Sequence, residues 1–195
     1  MNIYEASPAF NALVRNPRIA EMAATLAGAT RLRIWHDQVQ YKPKALGGRL
    51  AWHQDSPLWS NLQPKDAQLT AWIALDDADA DNGCMYMVPG SHKWGDKQAW
   101  IGEQPEGALL PEAFEGHDMH IMMCPVKRGH VHFHHALTWH GSGTNHSNRP
   151  RRAIGIHYMT ERTVYDASGD HLMKPFITLA DGEAMGGERF PQVWG

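Results

Sequence analysis

Along the chain the spacing of apolar positions changes once, near residue 30. Before that point, Asn16-Pro17 precedes Ile19, Met22, Ala23 and Leu26, and Gly28 follows. The i, i+3, i+4, i+7 spacing marks one helix face, Asn and Pro suit a first turn, and Gly suits a C-terminal stop. After it the apolar segments are short and have strand composition: 31–42, 69–75, 84–88, 119–124, 130–133 and 152–160. Asn82-Gly83, Pro89-Gly90-Ser91 and Gly141-Ser142-Gly143 punctuate them as turns. One helix and many short strands predict a mainly β fold, a barrel or sandwich with a few flanking helices. The stretch 95–116 lacks periodicity and reads as a long surface excursion, of the kind that forms lids. The tail from Ala180 is irregular, anchored by Phe190, Val193 and Trp194. Without a repeat or low-complexity tract, residues 1–195 read as a single domain.

Composition narrows the function classes. With 195 residues, 43% of them hydrophobic, the chain can bury a core without staples. Its 18 basic and 21 acidic residues give a net charge of -3 with no basic block, which argues against a nucleic-acid partner. No apolar run approaches the ~20 residues of a membrane span, and the first residues lack the pattern of a signal peptide. Two cysteines, Cys84 and Cys124, make no disulfide framework, so a reducing, cytoplasmic setting is expected. Nothing in the sequence speaks to oligomeric state. The anomaly is 13 histidines, more than the 5 Phe and 5 Tyr together.

Four groups have the residue types of a metal site. In Trp52-His53-Gln54-Asp55, residues i and i+2 of an extended segment share a face, so His53 and Asp55 can reach one ion. Alone the signal is weak, since so His-rich a chain gives about one such pair by chance. His140, in Trp139-His140-Gly141-Ser142-Gly143, would complete two histidines and one carboxylate on one side of a metal, a set suited to non-heme Fe(II) oxygenases. An arginine shortly beyond it, as in Arg149-Pro150-Arg151-Arg152, offers a planar bidentate cation for the far carboxylate of a 2-oxo acid. The run 130–135 puts His130, His132 and His134 on one strand face but has no Asp where a binuclear hydrolase needs one, and reads as framework. In the acidic stretch 77–83 the sixth position is Asn82 rather than Gly and the twelfth is Val88 rather than Glu, so it reads as a turn, not a calcium loop. Cys84 and Cys124 lack a CxxC spacing and read as two buried small side chains.

In order along the chain stand Lys42-Pro43, Trp52-His53-Gln54-Asp55, Ala71-Trp72, Asp81-Asn82-Gly83, Val88-Pro89-Gly90-Ser91-His92, His140-Gly141-Ser142-Gly143 and Arg151. With these motifs the chain, from about Arg31 to the C-terminus, resembles the phytanoyl-CoA dioxygenase family of Fe(II)/2-oxoglutarate-dependent oxygenases. The resemblance implies a double-stranded β-helix, a squashed jelly-roll barrel of cupin type, with iron at its mouth.

It further implies that His53, Asp55 and His140 bind Fe(II), and that Arg151 clamps the distal carboxylate of the cosubstrate 2-oxoglutarate. Lys42 and Trp72 match positions lining the cosubstrate pocket. Gln38, Gln40 and Lys42 alternate, so one strand face can present all three inward, and Gln40 is taken as a substrate or cosubstrate contact. Arg152 is expected on the opposite strand face and Arg149 in a loop. The implied reaction uses O2, releases succinate and CO2, and oxidises a small organic substrate. Because a carboxylate, Asp55, stands where the family's halogenases have a small residue, hydroxylation or a related oxidation is favoured over halogenation, with desaturation and epoxidation left open. Two rival readings keep the same ligands: a metal-binding β-helix protein without turnover, and a cupin-like metal enzyme that does not use 2-oxoglutarate. Relatives carry a longer N-terminal section, so the chain is expected to be N-terminally shortened. Trp59, Trp94 and Trp100 are expected to line an apolar pocket or anchor loops.

Overall fold

Helix α3 (Pro17–Ala27) forms as its sequence dictates. The Asn16 side chain accepts from the backbone N–H of Arg18 and Ile19 at 3.0 and 3.3 Å, and Gly28 takes a left-handed φ of 61° at the end. Two further helices precede it, α1 (Ile3–Ala6) and α2 (Pro8–Val14), too short for a periodic pattern. The structure, a computed structural model, describes residues 1–105 and 109–195. The excursion expected over 95–116 contains the short helix Gln98–Gly102 and a pairing of Ala113–Phe114 with His117–Asp118; its residues 106–108 lie outside the described residues.

Among the described residues, nine strands build two antiparallel sheets: β1 (Leu32–Lys42), β2 (Leu50–His53), β3 (Gln68–Ala74), β4 (Met85–Met87), β5 (Met122–Cys124), β6 (Val131–His135), β7 (His140–Ser142), β8 (Arg151–Thr160) and β9 (Gln192–Trp194). The larger sheet has the order β9-β1-β8-β3-β6 and the smaller β2-β7-β4-β5. They curl toward each other as the two walls of a jelly roll, so the mainly β, double-stranded β-helix expectation holds. No helix among the described residues is long and apolar enough to cross a membrane.

The outer face of the larger sheet is apolar. Leu32, Ile34, Ala71, Ile73, Ile154, Ile156 and Tyr158 pack there against Tyr4, Val14, Ile19 and Ala23 of the helices. Each fully buried aliphatic contributes ~1.5–3 kcal/mol, so this layer fixes the sheet's orientation. The inner face of β8, by alternation, presents Arg151, Ala153, Gly155, His157 and Met159. Strand β1 reaches the same cavity by an irregularity. Its pairing with β8 shifts between Ile34, opposite Tyr158, and His36, opposite His157. Even-numbered residues point outward before this bulge and inward after it, so His36, Gln38, Gln40 and Lys42 turn toward the cavity. One extra residue converts a core-facing strand into a site-facing one.

Strand β7 departs from the sequence expectation, which put a turn at Gly141-Ser142-Gly143. His140–Ser142 is a buried strand pairing β2 on one edge and β4 on the other. Gly141 is needed for approach rather than for turning, because a Cβ there would sit 3.0 Å from the Leu50 carbonyl oxygen.

Candidate metal centre

His53 ends β2, Gln54 keeps an extended backbone (φ -114°, ψ 141°), and Asp55 opens a one-turn helix, Asp55–Leu58. The expected extended triplet is thus a strand-to-helix corner, and the extended Gln54 still sets the two side chains on one side. Pairing of β2 with β7 puts His140 directly opposite His53. The nitrogens Nε2 of His53 and His140 each lie 3.6 Å from Asp55 Oδ1, and the three donor atoms fall within 4.8 Å of one another.

Both imidazoles are fixed in the same way. His53 Nδ1 donates to the Ala51 carbonyl at 2.9 Å, and His140 Nδ1 to the Thr138 carbonyl at 2.9 Å. A ring held through Nδ1 presents Nε2 with its lone pair free for a metal. The second carboxylate oxygen of Asp55 accepts from Thr70 Oγ1 at 2.8 Å and from His134 Nε2 at 3.3 Å. Burial opposes ionisation of Asp55, but the imidazoles of His140, His134 and His53 outweigh it and hold the carboxyl well below its usual range. Burial, with His53 beside it, holds His140 well below 6.5, so it stays neutral. For His53 burial works in the same direction, yet the hydrogen bond and charge of Asp55 prevail and raise it. An ionised carboxylate and a neutral His140 are the forms that ligate a metal.

Gln54, between the two candidate ligands, was not singled out in the sequence. It is fully buried and satisfied: its amide donates to the carbonyls of Gly95 at 2.9 Å and Leu137 at 2.7 Å, and its Oε1 accepts from Lys97 N at 2.7 Å. It ties the corner to the loop that follows the Ser91–Trp94 turn. Within Val88-Pro89-Gly90-Ser91, Ser91 Oγ donates to the Val88 carbonyl at 2.7 Å and accepts from Trp139 N at 2.9 Å, steadying the residue before His140. The position of Gln54 inside the Trp-His-Gln-Asp motif was its only signal.

A cavity of about 1750 Å3 opens from this cluster between the two sheets. Lys42 and Arg151, paired across β1 and β8, lie at one end of it, and both are buried. Arg151 Nε and Nη1 have no hydrogen-bond partner among the described residues. Lys42 Nζ donates to the Gly48 carbonyl. Burial lowers Arg151 to about 10, and burial together with Arg151 lowers Lys42 to about 8. Among the described residues no anion stands beside these two buried cations, an arrangement that favours binding one. The neighbouring arginines are spoken for: Arg149 pairs with Asp79 at 2.8 Å and Arg152, on the opposite strand face as expected, with Asp76 at 2.8 Å. In the turn at 77–83 the acids face solvent, and two of them also meet cations, Asp79 with Arg149 and Asp77 with Lys127 at 3.5 Å. Ser142, two residues beyond His140, adds a buried, unpartnered Oγ to the same cavity.

Gln40 lines the cavity and accepts from Trp72 Nε1 at 2.8 Å. Trp72 lies a layer back, packed among Ala74, Met85, Met87 and Ala153, with the Arg151 guanidinium 5.3 Å from its ring centre. It meets the pocket through Arg151 rather than by lining it. The histidine run divides: His134 bonds Asp55, and His132 contacts Met87 Sδ at 3.2 Å. The three tryptophans divide too, Trp59 lining the cavity while Trp94 and Trp100 pack with Phe114 and Trp139 beneath the loop. Cys84 is buried and Cys124 half-buried, both free.

A jelly roll with two imidazoles and one carboxylate converging beside an anion-seeking pocket defines a class of metal-dependent β-helix proteins. The phytanoyl-CoA dioxygenase (PhyH) profile matches residues 2–153, and the chain belongs to that family. The match takes in the N-terminal helices, which the motifs from Arg31 onward did not include, and ends just past Arg151. A phytanoyl-CoA dioxygenase domain-containing protein 1 from Mus musculus is 28% identical over 162 residues, 80% of this chain and 55% of that protein. A probable alpha-ketoglutarate-dependent hypophosphite dioxygenase from Stutzerimonas stutzeri is 32% identical over 156 residues, 77% of this chain and 52% of that protein. The chain spans about half the length of these curated relatives. Among solved structures, the epimerase SnoN, in complex with Fe3+, alpha ketoglutarate and nogalamycin RO, is 30% identical with a TM-score of 0.77, covering 96% of this chain and 75% of its own. The carbocyclase SnoK from nogalamycin biosynthesis is 29% identical with a TM-score of 0.76, covering 97% and 72%. The family's cofactors are Fe(II), 2-oxoglutarate and O2, and the donor set here suits them.

Proposed function

We propose that the chain is an Fe(II)/2-oxoglutarate-dependent oxygenase that hydroxylates a small organic substrate. His53, Asp55 and His140 hold the iron, and Arg151, with Lys42, holds the distal carboxylate of 2-oxoglutarate. The observation that carries the reading is the convergence of three donor atoms within 4.8 Å beside a buried arginine with unpartnered nitrogens. When bound, the iron, the oxo acid and O2 together supply a two-electron oxidation, the oxo acid leaving as succinate and CO2.

The residues of this chain supply orientation and exclusion. Ala51 and Thr138 carbonyls fix the imidazoles, Thr70 and His134 hold Asp55 as a carboxylate, and Arg151 stays cationic against the Trp72 face. Burial of Asp55, Thr70, His134 and Arg151 keeps bulk water off them and strengthens each of these interactions. Asp55 fills the carboxylate position, which favours hydroxylation over halide transfer; the epimerase and carbocyclase activities named for the solved neighbours mark the other outcomes to be tested.

Anaerobic Fe(II) titration, then 2-oxoglutarate, then O2, tests the reading. A visible charge-transfer band should appear at the second step and slow succinate formation at the third. Asp55→Ala should abolish both through loss of the metal. Iron binding with neither band nor succinate would sink the proposal and leave a metal-binding protein without turnover. Substrate-derived product carrying one atom from labelled O2 distinguishes hydroxylation from epimerisation or ring closure.

A further inference from the structure

Beside the metal centre lie two buried histidines that the mechanism above does not use. His36 and His157 are each 2% exposed, their ring centres 4.6 Å apart, and both line the cavity. Trp59 stands edge-on to both, its ring centre 4.8 Å from His157 and 5.9 Å from His36. Both nitrogens of His36, and Nε2 of His157, have no hydrogen-bond partner among the described residues. Orphaned polar atoms this deep are costly unless something arrives to satisfy them.

The proton inventory around Thr70 says what must arrive. Asp55 Oδ2 faces Thr70 Oγ1 at 2.8 Å and His134 Nε2 at 3.3 Å, and the Thr70 hydroxyl has a single proton, which it gives to that oxygen. His157 Nδ1 lies 2.8 Å from the same hydroxyl oxygen. That oxygen has spent its proton, so His157 Nδ1 must donate to it. In the neutral ring Nε2 is then a bare acceptor. A neutral His36 keeps one N–H and one lone pair, both free. An O–H group, of water or of an alcohol that displaces it, gives a proton to His157 Nε2 and takes a hydrogen bond from the His36 N–H.

We infer that His36 and His157 form a substrate-recognition pair for a hydroxyl group, the acceptor side being fixed by the Asp55–Thr70–His157 chain. His157 Nδ1 is 4.0 Å from Asp55 Oδ2, so its ring stands beside the metal centre with Nε2 on the far side. The substrate is thus an alcohol, which rests on the oxygenase reading; the tautomer itself does not.

Long-range proton–nitrogen NMR of the full chain, loaded with Zn(II) as a diamagnetic metal and with 2-oxoglutarate, tests this. His157 should be the Nδ1–H tautomer, with a pyridine-like Nε2. Titrated 1,2-propanediol should move that Nε2 resonance saturably, while 1,2-dimethoxypropane, which has no proton to donate, should not. Thr70→Val should mix the tautomers and weaken diol binding roughly fivefold, the scale of one neutral hydrogen bond, and Thr70→Ser should restore both. An Nε2–H tautomer or an imidazolium in the wild type overturns the inference, as does a diol that leaves Nε2 unmoved or an ether that moves it equally. If Zn(II) instead fails to shift His53 and His140, the metal reading fails while the His157 tautomer still reports on this one.

Discussion

The two ends of the cavity solve opposite electrostatic problems. At one, a buried carboxylate is surrounded by imidazoles and a hydroxyl, each in a fixed hydrogen bond, so the donor atoms are set in place before any metal enters. At the other, Arg151 and Lys42 are buried with no anion beside them. The first end is organised to offer lone pairs; the second holds an excess of positive charge that a dianion would relieve. On the proposed reading, preorganisation takes two forms: satisfied hydrogen bonds where ligands must not move, and unsatisfied charge where a ligand must be attracted.

The sharpest way to break the comparison is to remove the attraction alone. Arg151→Met should weaken 2-oxoglutarate roughly 100-fold or more, the loss of a bidentate charge-assisted pair, while Fe(II) affinity stays near wild type. Arg152→Met, one residue away but outward and paired with Asp76, should leave both unchanged. Titration calorimetry of the metal and then the oxo acid reads the two separately. Equal effects of the two variants would mean that burial and orientation do not decide which arginine binds.

The complementary change acts on the satisfied end. His134→Leu leaves Asp55 Oδ2 with Thr70 as its remaining donor. Metal affinity should fall about 10- to 100-fold, the usual scale for a supporting hydrogen bond to a ligand, with 2-oxoglutarate affinity at saturating metal little changed. A fall confined to the oxo acid would contradict the division of the cavity into two ends.

What could be read beforehand follows the same division. The long strands and α3 announced themselves because their apolar faces repeat over many residues; alternation set Arg151 and Arg152 on opposite faces, and the family resemblance said which of them faces inward. Strands β2 and β7 carry two of the three candidate ligands but are only four and three residues long, too short for a period, and Gly141 mimics a turn. The bulge at Trp35, which turns Gln40 and Lys42 inward, has no sequence signature, since one extra residue disturbs no composition. His134 was visible as part of a histidine-rich face; that it bonds Asp55 depends on its register opposite Thr70 across β3 and β6, a nonlocal fact. The site was legible where chemistry dictates residue type, and hidden where pairing between distant segments decides position.

Lys42 provides the gentlest test, because it probes the positive end by pH rather than by deletion. Burial first and Arg151 second lower its ammonium to about 8, so in the free site it is charged at neutral pH and loses its proton as pH rises through 8. A bound dicarboxylate favours the charged form, so binding above that pH must take up a proton. Affinity for 2-oxoglutarate is therefore full below about pH 7 and declines above 8, by about tenfold at pH 9 for one linked proton. The decline should vanish in Lys42→Met, whose affinity starts lower but stays flat over the same range, and should persist in Arg152→Met. Calorimetry in two buffers of different ionisation enthalpy measures the proton uptake directly. A wild-type affinity independent of pH between 7 and 9 would show that Lys42 is not part of the anion site, leaving Arg151 to hold the carboxylate alone.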